Sequence, residues 1–392
     1  MRNRMVNFLM VLSLMLVVNI SHADSLDEQD TAYSVPGLDY RFNVTGFVLG
    51  QELEKSSPTN PNNILDIPRH QAELNFRLDL NYSIGKLDLV LKPRYEARRL
   101  YWKDGLRSGQ NKTEDELFVH EWMARVHLTS ELFASLGRED LQWGPSYLLS
   151  PSNPFNQSNG RFKPNIEIPG MDYAKITWVP DHQWTASLIA NTGEGRQDSF
   201  GSFSKTTALK VDYTGNGYYI SIVPSHREGS GNQLGWYAHW STTDYLSLYF
   251  EGQHKEKTDD TDYLIGARYT FEDAGTITGE YYHQDSGCTA VQYQNCFIPM
   301  PGKDAHDPLS LVRENYLFLQ YRENGIFEGT DVALRWIRNL DDKSNRVMAY
   351  FEREFGDNTQ LFLNAEVYQG KQFTEFDSVL DYSMMIGFSY TQ

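Results

Sequence analysis

Residues 71–84 read QAELNFRLDLNYSI, and every second residue is apolar. Ala72, Leu74, Phe76, Leu78, Leu80, Tyr82 and Ile84 fall on one side; Gln71, Glu73, Asn75, Arg77, Asp79, Asn81 and Ser83 fall on the other. An extended chain sends successive side chains to opposite faces, so this segment is a strand with one greasy and one wet face. A tilted strand needs about 9–11 residues to cross a bilayer core, and this one is long enough.

The alternation recurs down the chain. It predicts strands near 39–50, 70–84, 87–101, 116–128, 132–142, 172–179, 184–191, 206–214 and 218–226. Further strands are expected near 233–241, 245–255, 263–272, 276–284, 314–323, 331–339, 345–355, 360–368 and 378–390. The total, about 18, is even, as in bacterial single-chain barrels. Short links such as Gly85-Lys86 and Gly215-Asn216-Gly217 alternate with long ones near 51–69, 102–115, 143–171, 192–205, 227–232, 256–262, 285–313 and 369–377. The link 324–330 is long for a turn, and 340–344 is short for an outer loop. Sorting of links by parity is expected of an all-β, transmembrane, antiparallel up-and-down β-barrel and has no cause in a soluble sandwich. Aromatics make up 14% of the chain, and Trp122, Trp178, Trp184, Trp236, Trp240, Tyr213, Tyr218, Tyr245 and Tyr269 are read as girdle residues. Pro93 cannot donate to a ladder, so a bulge is expected near Lys92-Pro93.

The first 23 residues carry Arg2 and Arg4, an apolar run from Phe8 to Val18, and Ser21-His22-Ala23. That layout describes a signal peptide for export. Residues 24–38 form an acidic periplasmic lead-in, and 39–392 the barrel. Cleavage after Ala23 takes the formal charge from −17 to −19, which speaks against a nucleic-acid partner. A mean hydropathy of −0.53 suits a barrel in which only alternate residues meet lipid. Cys288 and Cys296 are the only cysteines; in an oxidising compartment they pair, which stabilises by about 2.5 kcal/mol on the chain-entropy model.

If the apolar face meets lipid, the polar face lines a lumen. Inward cations are Arg77, Lys92, Arg94, Arg98, Arg125, Lys175, Lys210, Arg268, Arg322 and Arg335. Inward acids include Glu73, Asp79, Glu96, Glu121, Glu251, Glu280, Glu352, Glu354 and Glu366. The third strand, dense in cations, reads either as an anion-guiding patch or as one side of a lattice of ion pairs. Near balance of the two signs favours the lattice. The parity of Arg138 is left open. Asp259, Asp260 and Asp262 read as a solvated acidic loop rather than a Ca²⁺ site.

Residues 136–155 read LGREDLQWGPSYLLSPSNPF and break the alternation. A strand ends here and a shaped loop of nearly thirty residues begins; loops that long usually have a task. Trp143, Gly144, Pro145, Tyr147, Asn153 and Phe155 are the candidates for narrowing the barrel mouth or stacking on a sugar ring. The GRxxxxWGP strand end followed by LLSPSNPF resembles a segment of Wzi-type capsule-assembly proteins, and a similar GR-then-WG strand end occurs in alginate-export-type barrels. Both families imply about eighteen strands. The first implies exopolysaccharide binding at the cell surface, the second passage of a polyanionic chain through an arginine-rich pore. The resemblance carries over only to Trp143, Gly144, Pro145 and Asn153.

Catalytic signals are weak. His120-Glu121 begins a zinc-protease pattern, but position 124 is Ala124, and simple alternation puts His120 and His127 on opposite faces. Glu139-Asp140, as strand neighbours, would also face apart, and no Gly-x-Ser-x-Gly elbow or phosphate loop occurs. No enzyme activity, catalytic residue, cofactor or metal is expected. The reading is a porin-like passive channel for saccharide or small anionic solutes, in the outer membrane of a Gram-negative bacterium. The alternatives are a plugged, capsule-binding barrel and, third, an outer-membrane hydrolase. Expected partners are outer-membrane lipid and lipopolysaccharide, the solute or polysaccharide, and the barrel-assembly machinery during biogenesis.

Overall fold

The computed structural model describes residues 37–54, 59–158, 160–162, 166–196, 203–272, 275–291, 296, 311–327 and 329–392. The expected signal peptide, and the lead-in up to residue 36, lie outside these. Eighteen strands follow one another: β1 Leu38–Leu53, β2 His70–Ile84, β3 Leu87–Tyr101, β4 Asn111–His127, β5 Leu132–Glu139 and β6 Met171–Trp178. Next come β7 Trp184–Gly193, β8 Thr206–Gly215, β9 Tyr218–Arg227, β10 Gly231–Ser241, β11 Leu246–Lys255 and β12 Asp260–Thr270. The last are β13 Thr276–Gln284, β14 Asn315–Phe327, β15 Thr330–Asn339, β16 Asn345–Phe355, β17 Thr359–Gln369 and β18 Leu380–Thr391.

Each strand pairs antiparallel with its sequence neighbours, and β1 pairs with β18, so the sheet closes and has no free edge. The seam runs from Asn43 opposite Thr391 to Leu53 opposite Leu380. Gln392 and Phe42 exchange backbone hydrogen bonds at 2.8 and 2.9 Å. The Asn43 amide adds bonds to the Ser389 and Thr391 hydroxyls. Thr391 and Gln392, beyond the outward Tyr390, thus still belong to the seam.

The apolar face turns outward. Leu89, Leu91, Leu117, Leu188, Ile222, Phe250, Ile265, Leu334, Met384 and Ile386 are all exposed. A closed cylinder with an apolar outer wall satisfies its backbone internally and presents hydrocarbon to its surroundings, the condition for spanning a membrane with strands. Trp178, Trp184, Tyr218, Trp240, Tyr245 and Tyr269 are exposed at the strand ends beside the short turns, forming a girdle along β6 to β12. Trp122 and Trp236 do not belong to it. Both lie inside their strands, and the Trp236 ring leans over Gly252 on the neighbouring strand.

Two links expected to be long are short. β9 passes to β10 through residues 228–230, and β11 to β12 through 256–259, because both strand pairs extend further than their alternation shows. The 228–230 and 256–259 links are neighbours on one rim, and the short 340–344 link lies on the same rim beyond the longer β13–β14 connection. The 324–330 link is a tight turn, since β14 continues to Phe327 and pairs with Thr330. At Pro93 the ladder slips: Lys92 faces Glu121 while Pro93 faces Val119, leaving His120 as the extra residue on β4. The bulge resets parity, so His120 and His127 share the lumen side rather than facing apart. His127 is spent on Asp88 at 2.8 Å and His120 lies near Glu167, and neither pairs with the other. Cys288 and Cys296 form a disulfide with Cα atoms 5.7 Å apart.

Candidate functional site

The long loop between β5 and β6, residues 140–170, enters the lumen and is fastened to opposite walls. Its first fastening is the WGPSYLLSPS segment. Gly144 has φ +81°, and a Cβ there would sit 2.3–2.6 Å from the Glu251 carboxylate of β11, so no side chain fits. Around that close approach the Ser146 and Ser152 hydroxyls donate to Glu251 at 2.6 Å, and the Ser150 hydroxyl donates as well. Two strands on, the backbone N–H groups of Tyr147 and Leu148 donate to Glu280 of β13 at 2.6 and 2.8 Å, and the Tyr249 hydroxyl donates at 2.6 Å. Glu251 and Glu280 are fully buried, a position an acid holds only when its oxygens are bonded.

The second fastening is at the other wall. Glu167 takes the Arg94 guanidinium fork at 2.7 and 2.8 Å and lies 3.5 Å from Arg77. Burial opposes ionisation of Glu167, but Arg94 and Arg77 together hold its carboxyl below the usual range. Between the fastenings, Asn153 is a structural pin. Its amide donates to the Leu141 carbonyl, and its carbonyl accepts from the N–H groups of Phe155 and Asn156.

Two apolar clusters flank the loop. Phe155 packs edge-on between Trp143 and Tyr173, with Met171, Ile189, Ala208 and Val223. Phe155 is therefore core and not a stacking platform, and Trp143 is turned toward it with its indole N–H on Ser152. Leu148 enters a second cluster with Tyr249, Leu264, Tyr282, Phe318 and Ile337, closed over by Leu311 and Phe376 from two other loops. Trp143 and Tyr147 are both half-buried, and each has a cation over its ring: Lys210 stands 5.7 Å from the Trp143 ring, while Tyr147 takes two arginines. It lies under the guanidinium groups of Arg268 at 4.7 Å and Arg161 at 5.7 Å.

The lumen cations sort into two kinds. Lys92 pairs with Glu121 at 2.6 Å, Arg94 with Asp79 at 2.8 Å as well as with Glu167, and Arg98 with Glu73 at 3.2 Å and with Glu96. Lys175 pairs with Glu139, Lys210 with Asp212, and Arg322 with Asp331. The dense third strand is thus one side of a lattice, and a buried Arg346–Glu366 pair at 2.7 Å continues it on β16 and β17. The Tyr350 hydroxyl donates to Glu352, while Glu354 is exposed near a strand end. Arg125 packs over the Phe133 ring, and Arg335 takes Gln320 at 2.7 Å. Glu139 and Asp140 do not face apart. Asp140 lies just beyond β5, free of strand parity, near Glu121 and Lys92, where burial pushes its carboxyl up to about 7. Arg138 bonds Asp172 on the opposite side of β5 from Glu139. Arg161 sits in the loop, outside any alternation, so no sequence pattern marks it.

No family model matches the chain, and no curated protein matches it in sequence. Solved structures match its fold. OccAB2 of Acinetobacter baumannii aligns at 12% identity with TM-score 0.59, covering 91% of this chain and 98% of that one. OccAB3 of the same organism aligns at 9% identity and TM-score 0.59, over 91% and 100%. OccK5 of Pseudomonas aeruginosa aligns at 12% identity and TM-score 0.58, over 91% and 98%. These are outer-membrane β-barrel porins, and the likeness at such identities is one of fold.

Proposed function

We propose that the chain is a porin-like passive channel in the outer membrane of a Gram-negative bacterium, with the 140–170 loop setting its bore. The observation that carries this is the loop clasped across a lumen whose one wall stays hydrated. The Arg98 and Lys92 side chains keep 24% and 27% of their surface exposed, whereas Phe318 and Ile337 across the barrel keep none. Solutes then pass beside the polar wall of β2 to β4 and the arginine-flanked Tyr147, which suits small anionic solutes or saccharides. The chain works without catalysis, partnered by outer-membrane lipid and lipopolysaccharide, and is inserted by the barrel-assembly machinery.

A second reading has its own support. The apolar cluster capped by Leu311 and Phe376 fills part of the lumen, as a plugged barrel that binds exopolysaccharide would need. The Wzi-type resemblance of the WGP segment points the same way. Planar-bilayer recording of the purified protein separates the two. Discrete single-channel steps are expected; silence with retained glycan binding would overturn the channel. Lipase or esterase turnover in detergent would overturn the non-enzymatic reading.

A further inference from the structure

We propose that the outer wall of β15 to β17 holds a phosphorylated lipid of the outer leaflet, its phosphate on Arg338, Lys343 and Lys371 and its acyl chains along the apolar strip beneath. The site rests on the reading that outer-membrane lipid surrounds the barrel. On these strands Leu334, Trp336, Val347 and Val367 face outward, and the wall then turns polar at Arg338, Asn345 and Gln369. Those three stand side by side in the ladder, Arg338 opposite Asn345 and Asn345 opposite Gln369. β17 runs 11 residues from its short turn to Gln369. That length crosses a bilayer core, so the polar row lies at the headgroup level of the outer leaflet. Lys343 belongs to the link joining β15 to β16, and Lys371 follows two residues after Gln369; both are exposed.

The acids at this place are committed elsewhere. Asp341 accepts from the backbone N–H groups of Glu314 and Asn315 at 2.9 Å and from the Asn315 amide at 2.8 Å. Asp342 accepts from the Ser344 hydroxyl at 2.6 Å and from the Glu375 N–H at 2.8 Å. The cations have no such partners. Arg338 donates to the Asn345 side-chain oxygen at 3.2 Å, and none of Arg338, Lys343 and Lys371 makes an ion pair with a carboxylate among the described residues. The outward histidines of β11 and β13 are occupied by contrast: His254 meets Thr261 at 3.1 Å, and His283 meets Asn315 and Asp285 at 2.9 Å. Cations without a counter-charge, set directly above an apolar wall, complement a lipid whose phosphate sits over its own chains. Trp336 joins the two layers, its indole N–H fixed on Asn345 at 3.1 Å and its ring at the boundary. The short 340–344 link raises no tall loop over Arg338 on its own hairpin.

The test uses full-length protein in detergent, with native mass spectrometry counting bound lipid as diphosphoryl lipid A is titrated. Monophosphoryl lipid A and inorganic phosphate are the comparison probes. One diphosphoryl lipid A is expected to stay bound, at least about fivefold more tightly than the monophosphoryl form. Arg338→Gln should lose about fivefold, and the triple change Arg338→Gln, Lys343→Gln, Lys371→Gln at least about tenfold. Arg353→Gln removes an outward cation at the opposite end of β16 and should leave binding within about twofold. Circular dichroism confirms that each variant is folded. Should the triple variant not fold, Lys343→Gln with Lys371→Gln, both exposed, carries the same direction. Equal losses from Arg338→Gln and Arg353→Gln, binding unmoved by the triple change, or inorganic phosphate binding as tightly as lipid A overturns the site. Failure of the membrane reading is distinct, since it shows as a protein that stays dissolved without detergent.

Discussion

Gly144 shows how one residue can set the course of a loop. Its positive φ and the Glu251 oxygens 2.3 and 2.6 Å from where a Cβ would be leave two independent objections to any side chain. Gly144→Ala is expected to cost about 1–3 kcal/mol in backbone strain alone, and more as Glu251 is pushed from its serines. The check is a lower melting temperature together with noisier or larger single-channel currents. The sequence marked Trp143, Gly144 and Pro145 as unusual, but not why, because the carboxylate that excludes a Cβ lies more than a hundred positions away. Phe155 and Trp143 were legible as aromatic and loop-borne. The burial of Phe155, with Trp143 packed against it, was not, since it depends on Tyr173 and Val223 arriving from other strands. Gly266 makes the same point within the sheet: the Tyr249 ring lies across it, and that placement brings the hydroxyl to Glu280.

At the scale of elements, the strands were readable almost throughout, because a two-sided solvent writes itself into every second residue. What escaped was ladder geometry: the extra residue at His120, and strand pairs that run on past their apolar alternation at 228–230 and 256–259. The loop from β17 to β18 hid its anchor as well. Glu375 there accepts from the Val312 N–H at 2.9 Å and the Tyr316 hydroxyl at 2.7 Å, and the Asn339 amide also donates. Burial nonetheless pushes its carboxyl up to about 7, from an ordinary value of 4.5. A carboxyl raised in the folded state is protonated there while the released loop is ionised. Its contribution is therefore complete below pH 4.5, shrinks as pH rises toward 7 and is gone above it, a difference on the order of 3 kcal/mol. Hydrogen exchange of residues 371–379, corrected for intrinsic rates, should show protection falling between pH 5 and pH 8. In Glu375→Gln the protection should lose that pH dependence; an unchanged slope would assign it elsewhere.

For the whole molecule, closure is the decisive event. β18 completes two ladders at once, against β17 and β1, so a chain ending at residue 379 would leave two edges open in a medium that cannot satisfy them. Such a truncation should give no folded species, read as loss of the faster-migrating unheated band in detergent gels, whereas removing Gln392 alone should cost only the last seam bonds. The cylinder and its strand count were foreseeable from alternation and link lengths. The interior was not, since a polar face says only that water or polar groups meet it, and at Glu251 and Glu280 serines and backbone amides do so. The clasped loop also constrains anyone who would widen this bore. Excising residues 140–170 would strip Glu251 and Glu280 of nearly all their donors and leave two neighbouring negative charges looking into a cavity. A wide-bore version would need both acids exchanged for neutral residues in the same step, and the engineer who trims only the loop should expect a barrel that will not assemble.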